Sequence, residues 1–199
     1  MLIRYLSIIG IAVFVLSCWR PSGHGVGGQY LDAKTEIARG RHTNVNKAVS
    51  HLEYVVSHDP YYKDSLTLLG RTYYMAERYQ DAYQILTRAL AIRPDDEIAW
   101  ISLGLTQLRL GDDAKGLESL KGGLTQLAKL STEHYKGVEF WDTDGYVRTA
   151  IRRSVLAVTK GIENKQGIIQ TTEVLLTRID EEEWWQNRKQ KRDQIAPQE

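Results

Sequence analysis

Asp59-Pro60 and Arg93-Pro94 break the chain at two points 34 residues apart, and the stretch between them reads as two consecutive helices. Leu66, Leu69, Tyr73 and Ala76 recur at helical spacing and mark one apolar face, and Ala82, Leu86, Ala89 and Leu90 mark the face of the next helix. Small residues at Gly70, Ala82 and Ala89 let paired helices approach closely. Pro94 has no amide proton to donate and forbids continuation. Asp95 and Asp96 come next, at the start of the following helix, where carboxylates cap free amides and favour the positive end of the dipole. Each such pair leaves apolar surface that only a neighbouring pair can cover, so the pattern predicts an all-α stack of helix-turn-helix units. A third break is expected near residue 128, where the chain has Ala rather than Pro.

Frames at 29–62, 63–96 and 97–130 test this period. In the second, Leu66, Leu69, Gly70, Tyr73, Ala82, Leu86, Ala89 and Pro94 fall where tetratricopeptide repeats have Trp, Leu, Gly, Tyr, Ala, Phe, Ala and Pro. In the third, Trp100, Leu103, Gly104 and Leu120 fit, Gln107 stands in for Tyr, and Gly116 and Gly123 stand in for the two Ala. The first keeps Ala48, Leu52, Val55 and Pro60, but Asp32, Thr35, Glu36 and Arg39 break its first-helix pattern. Over residues 29–130 the chain thus resembles a tetratricopeptide protein. That resemblance implies a short solenoid whose inner, concave surface is built from the first helix of each repeat. The implied partner-binding positions are Thr67, Arg71, Tyr74 and Met75 in the second repeat, and Ile101, Leu105, Leu108 and Arg109 in the third. The Ile and Leu would receive an apolar partner segment, and Arg71 and Arg109 would supply charge-assisted hydrogen bonds to carboxylates or backbone. The alternative is that the C-terminal helices fold back into this groove and make Leu105 and Leu108 core.

Two amphipathic helices are predicted after the repeats, over about 143–161 and 166–190. They rest on the stripes Val147, Ile151, Val155, Val158, Ile162 and Ile168, Thr172, Leu175, Leu176, Ile179. Asp142 or Thr143 is the natural N-cap of the first. The pair reads as the polar-faced cap that a terminal repeat needs, spanning 131–193 and leaving 194–199 as a disordered tail. Trp184 and Trp185, with Arg188, Lys189, Lys191 and Arg192 after them, either anchor a partner or membrane interface or close the last bundle. Gly122 and Gly123 each cost a mid-helix position about 1 kcal/mol relative to Ala. They are expected either to let the segment C-terminal to the repeats pack closely or to mark a fraying helix end.

At the other end, Arg4 precedes 13 uncharged residues, Tyr5 to Ser17, and then the single cysteine of the chain, Cys18. The apolar run is too short to span a bilayer and has the length of a secretory-signal core. Val15, Leu16, Ser17 and Cys18 resemble the lipobox of bacterial lipoproteins, with Leu16 departing from the usual small residue. The resemblance implies cleavage after residue 17, a diacylglyceryl and palmitate anchor on Cys18, and a location in the envelope. Trp19, in place of a retaining Asp, points to the outer membrane facing the periplasm. The alternatives are an uncleaved anchor or a plain secretory signal. Residues 18–28 form a Gly-rich tether. Its Gly23, Gly25 and Gly28 spell a dinucleotide fingerprint with no strand before it.

The chain offers little chemistry. A net charge of +1 gives no basic face for nucleic acid. Asp142, Asp144 and Gly145 resemble the middle of a calcium loop, but its end positions would be Phe140 and Ile151, which cannot ligate. His51 and His58 make an incomplete zinc pair, and His134 with Glu133 and Asp142 makes an acid/base set no better than chance. No nucleophile elbow, phosphate loop or HExxH occurs, so no enzyme, cofactor, metal or small-molecule substrate is expected. The expected function is a lipid-anchored adaptor or scaffold for envelope proteins. The alternative is an accessory or structural subunit of a larger envelope complex, resembling a pilotin or a cell-wall hydrolase regulator.

Overall fold

A computed structural model describes residues 25–130 and 141–195. Among them the chain forms eight α-helices and no strand: α1 (Val26–Ile37), α2 (Val45–His58), α3 (Ser65–Met75), α4 (Tyr79–Ile92), α5 (Glu97–Leu110), α6 (Asp113–Leu130), α7 (Tyr146–Thr159) and α8 (Lys165–Ile195). The leader, Cys18, Gly23, the Glu133–His134 pair and residues 196–199 lie outside the described residues. No described helix is long and apolar enough to cross a membrane.

Helices pair as α1 with α2, α3 with α4, α5 with α6 and α7 with α8, and each pair stacks on the next. The small residues set the spacing. A Cβ on Gly70 would lie 2.5 Å from Leu86, so the Leu86 side chain fills the place where one would stand. Gly104 and Gly116 face each other across α5 and α6, where a Cβ on either would meet the other's carbonyl within 3.1 Å. Asp96 caps α5 as its place after Pro94 predicts, its Oδ1 accepting from the Ala99 amide at 2.9 Å.

Two apolar clusters share α5. Ala99 and Leu103 belong to the cluster of α1 to α4, while Ile98, Ile101, Leu105 and Leu108 join α6, α7 and α8. A helix apolar all round must be covered all round. Every residue from Ile101 to Leu108 is buried.

Two boundaries differ from the sequence expectation. α1 begins at Val26, inside the stretch read as a tether to Gly28. Gly27 packs on Tyr62, whose hydroxyl would be 3.1 Å from a Cβ there. The loop from α1 to α2 is long and holds a 3-10 turn at Gly40–His42. α8 continues past residue 190 to Ile195, about 46 Å of helix. Two of the residues that break the first-repeat pattern, Glu36 and Arg39, have a structural reason: Glu36 is buried and bonded by Lys47 Nζ and Arg39 Nη1, both at 2.7 Å. The Lys47 hydrogen bond, with Arg39 nearby, holds the Glu36 carboxyl below its ordinary range.

Candidate functional site

The inner face is built from α1, α3 and α5, and α8 lies across it. The apolar stripe of α8 must be buried, and α5 offers matching surface: Ile168, Leu175 and Ile179 share a cluster with Ile101, Leu105 and Leu108. Those three α5 residues are wholly buried. They are core between α5, α6 and α8 and are not open to a partner segment, so the alternative in which the C-terminal helices fold back describes this part of the face.

The polar positions meet α8 as well. Arg71 donates from Nη1 and Nη2 to Asp180 Oδ1 and Oδ2 at 3.1 and 2.7 Å, a two-pronged pair in a place where Arg71 is 14% exposed. Burial alone would lower the Arg71 pKa, but Asp180 outweighs it and the net shift is upward. Tyr74 donates to Glu173 Oε1 at 2.6 Å, and Arg109 donates to the same Oε1 at 3.0 Å and to the Tyr74 hydroxyl at 3.2 Å. Burial and the Glu173 acceptor push the Tyr74 hydroxyl above its ordinary range. The carboxylates expected from a partner are thus supplied by the chain's own last helix. Met75 is 43% exposed.

The inner face is not wholly filled. A cleft of about 790 Å³ remains between α1, the N-terminal ends of α3 and α5, and the C-terminal half of α8. Thr67 and Arg71 line it, with Leu31, Lys34, Lys63, Asp95 and Trp184. Thr67 donates to Asp96 Oδ2 at 2.7 Å and accepts from Arg93 at 3.3 Å. Lys63 holds its ammonium over the Tyr30 and Tyr62 rings, 5.1 and 5.5 Å from their centroids. The Tyr30 hydroxyl donates to Asp64. Six cations and six acids line the cleft, so it presents mixed charge and no net field. Leu31 at 60% exposure and Trp184 at 38% add apolar surface. Trp184 therefore belongs to the inner face, stacked under Arg188 at 4.5 Å. The contribution of α8 to this face has no marker in the repeat pattern; its one signal is Glu173 and Asp180, seven apart on one helix face.

The turn before α7 is structural. The carboxylate of Asp142 accepts from the Val147 and Arg148 amides, each at 2.8 Å, and Arg148 Nε lies 3.3 Å away. Asp142 is buried with φ at 52°, a conformation Asn and Asp tolerate better than Ala. Asp142→Ala is expected to cost about 2 kcal/mol in urea unfolding and Asp142→Asn less than half of that. His51 bonds Gln29, and His58 bonds the Tyr54 carbonyl at 2.8 Å and stacks on its ring, so the two histidines serve separate contacts. Among the described residues no group of three or more His, Cys, Asp or Glu is placed to hold a metal ion.

The helix pairing, the 34-residue period and the glycine contacts converge on one architecture. Residues 37–108 match the tetratricopeptide repeat family model. The match runs from Ile37, the last residue of α1, to Leu108 in α5, and so takes in α3 and most of α5 among the inner-face helices. No curated protein and no solved structure matches the chain.

Proposed function

We propose that the protein is a non-catalytic adaptor that holds a segment of a partner protein in the open cleft between α1, α3, α5 and α8. A lipid on Cys18 keeps it in the bacterial envelope, at the outer membrane facing the periplasm. The observation that carries this is the cleft itself: it is the part of the tetratricopeptide inner face that α8 leaves uncovered. Balanced charge with exposed Leu31 and Trp184 suits a mixed protein segment better than a polyanion.

A photo-crosslinking residue in place of Leu31 should trap discrete protein adducts in intact cells. The same residue in place of Ile92, exposed on α4, should not. Equal adducts at the two positions, or none at 31, would remove the cleft as the binding site. Separately, Cys18→Ala should move the protein from the membrane fraction to the soluble fraction and abolish labelling by an alkyne fatty acid. Full retention with unchanged labelling would refute the lipid anchor.

A further inference from the structure

The C-terminal hairpin departs from what an end cap requires. A terminal repeat needs a polar outer face. Yet Tyr146 and Leu156 of α7 and Val174 of α8 are 62, 61 and 46% exposed. α7 carries three arginines and no acidic residue. Arg148 is paired with Asp142, whereas Arg152 and Arg153 have no hydrogen bond, ion pair or ring contact among the described residues.

Arg153 lines a groove of about 540 Å³ between α7 and α8, together with Tyr146 and Val174. Arg178 forms another part of it, held by Glu181 at 2.6 Å and over the Tyr146 ring at 5.5 Å. Asp144 is the single acid among the lining residues. The groove thus combines an uncommitted guanidinium with exposed apolar side chains and excess positive charge.

We infer that this groove binds an acidic, amphipathic helical segment of a partner protein, with a carboxylate on Arg153 and an apolar side chain between Tyr146 and Val174. A planar guanidinium accepts a carboxylate in two-pronged geometry, and a groove between two helices accepts the apolar face of a third. A second copy of the chain is a poor occupant, because a two-fold contact would set Arg152 and Arg153 against their own counterparts. A flat bilayer surface fits a concave groove less well than a helix does. This site is separate from the cleft beside α1.

The test is a fluorescence-anisotropy titration of the full-length protein in neutral detergent. Its probe is a fluorescein-labelled amphipathic peptide of Glu and Leu, about 15 residues long and so near the length at which an isolated helix becomes stable. The peptide should bind, and the same peptide with Lys for Glu should not. Arg153→Glu should weaken binding about tenfold or more, and Val174→Ser several-fold, with unfolding midpoints unchanged. Arg88→Glu, an exposed charge reversal on α4, and Leu31→Asp in the cleft should each stay within about twofold. The proposal fails if the Glu peptide does not bind, if Arg153→Glu leaves affinity unchanged, or if Arg88→Glu costs as much. Displacement of the peptide from Arg153 by phosphatidylglycerol mixed micelles at lower concentration than by unlabelled peptide would assign the groove to an anionic membrane and overturn it too.

Discussion

Asp180→Ala is expected to destabilise the protein by about 3 kcal/mol, a fall of about 9 °C in the thermal midpoint for a chain of this size. The reason lies in what is left behind. Arg71 donates twice to Asp180 and is only 14% exposed, so truncating the acid leaves a buried guanidinium with its donors unmet. Asp180 itself is 32% exposed, which places the loss at the lower end of the range for broken buried pairs. Removing both charges tests the cause: Arg71→Met with Asp180→Leu should recover most of the stability, because no uncompensated charge remains. By contrast, Glu173→Ala should cost about 1 to 2 kcal/mol: its ion pair with Arg109 is 39 and 30% exposed and worth little, and the Tyr74 hydroxyl loses an acceptor but keeps the Arg109 donor. Urea unfolding of these variants separates the expectations. An Asp180→Ala loss no larger than that of Glu173→Ala would mean that the apolar stripe alone pins α8 to the inner face.

How α8 is pinned also shows why part of this fold is legible in sequence and part is not. The second and third repeats are legible because each side chain that marks them is tied to a local need: Gly70 to the close approach of Leu86, Asp96 to the free amides of α5. Asp142 serves the amides of α7 too, but from three residues before the N-cap, which is Gly145 and not Asp142 or Thr143. The first repeat is less so, because Glu36 breaks the apolar pattern while still being buried. Its burial depends on Lys47, eleven residues on, and Arg39. The stripe of Ile168, Leu175 and Ile179 says that a helix buries one face but not which surface receives it. That choice is made by a distant complement, Glu173 and Asp180 on one helix against Arg109 and Arg71 on others, and no local period encodes it. The repeat period therefore places the inner-face positions on the right helices, while the apolar ones among them, Ile101, Leu105 and Leu108, serve the core. The stripe of α7 is also only partly right: Val147, Ile151 and Val158 are buried, but Val155, read as part of the same stripe, is 38% exposed, because the buried face of α7 runs through Ala150 and Ser154 instead.

Two adjacent glycines should respond to the same substitution with opposite signs. Gly122 and Gly123 sit in α6, where exchange to Ala gains about 1 kcal/mol of helix propensity at either position. At Gly122 a Cβ meets nothing within 4 Å, so Gly122→Ala should realise that gain in full and raise the thermal midpoint by about 3 °C. At Gly123 a Cβ would lie 2.9 Å from the Glu97 carbonyl and 2.9 Å from the Ile101 amide nitrogen. These are backbone atoms of α5 and cannot rotate aside, so the two helices must separate at their closest point. Overpacking of this kind costs up to about 3 kcal/mol, which exceeds the propensity gain and leaves a net loss of about 2 kcal/mol, near 6 °C. Gly123 therefore serves packing against the preceding helix, α5, rather than against the C-terminal segment. The pair is its own control, because composition, helix and neighbouring sequence are shared. Calorimetry of the two single variants decides the matter: midpoints that move in the same direction would mean that α5 and α6 are not held in contact at Gly123.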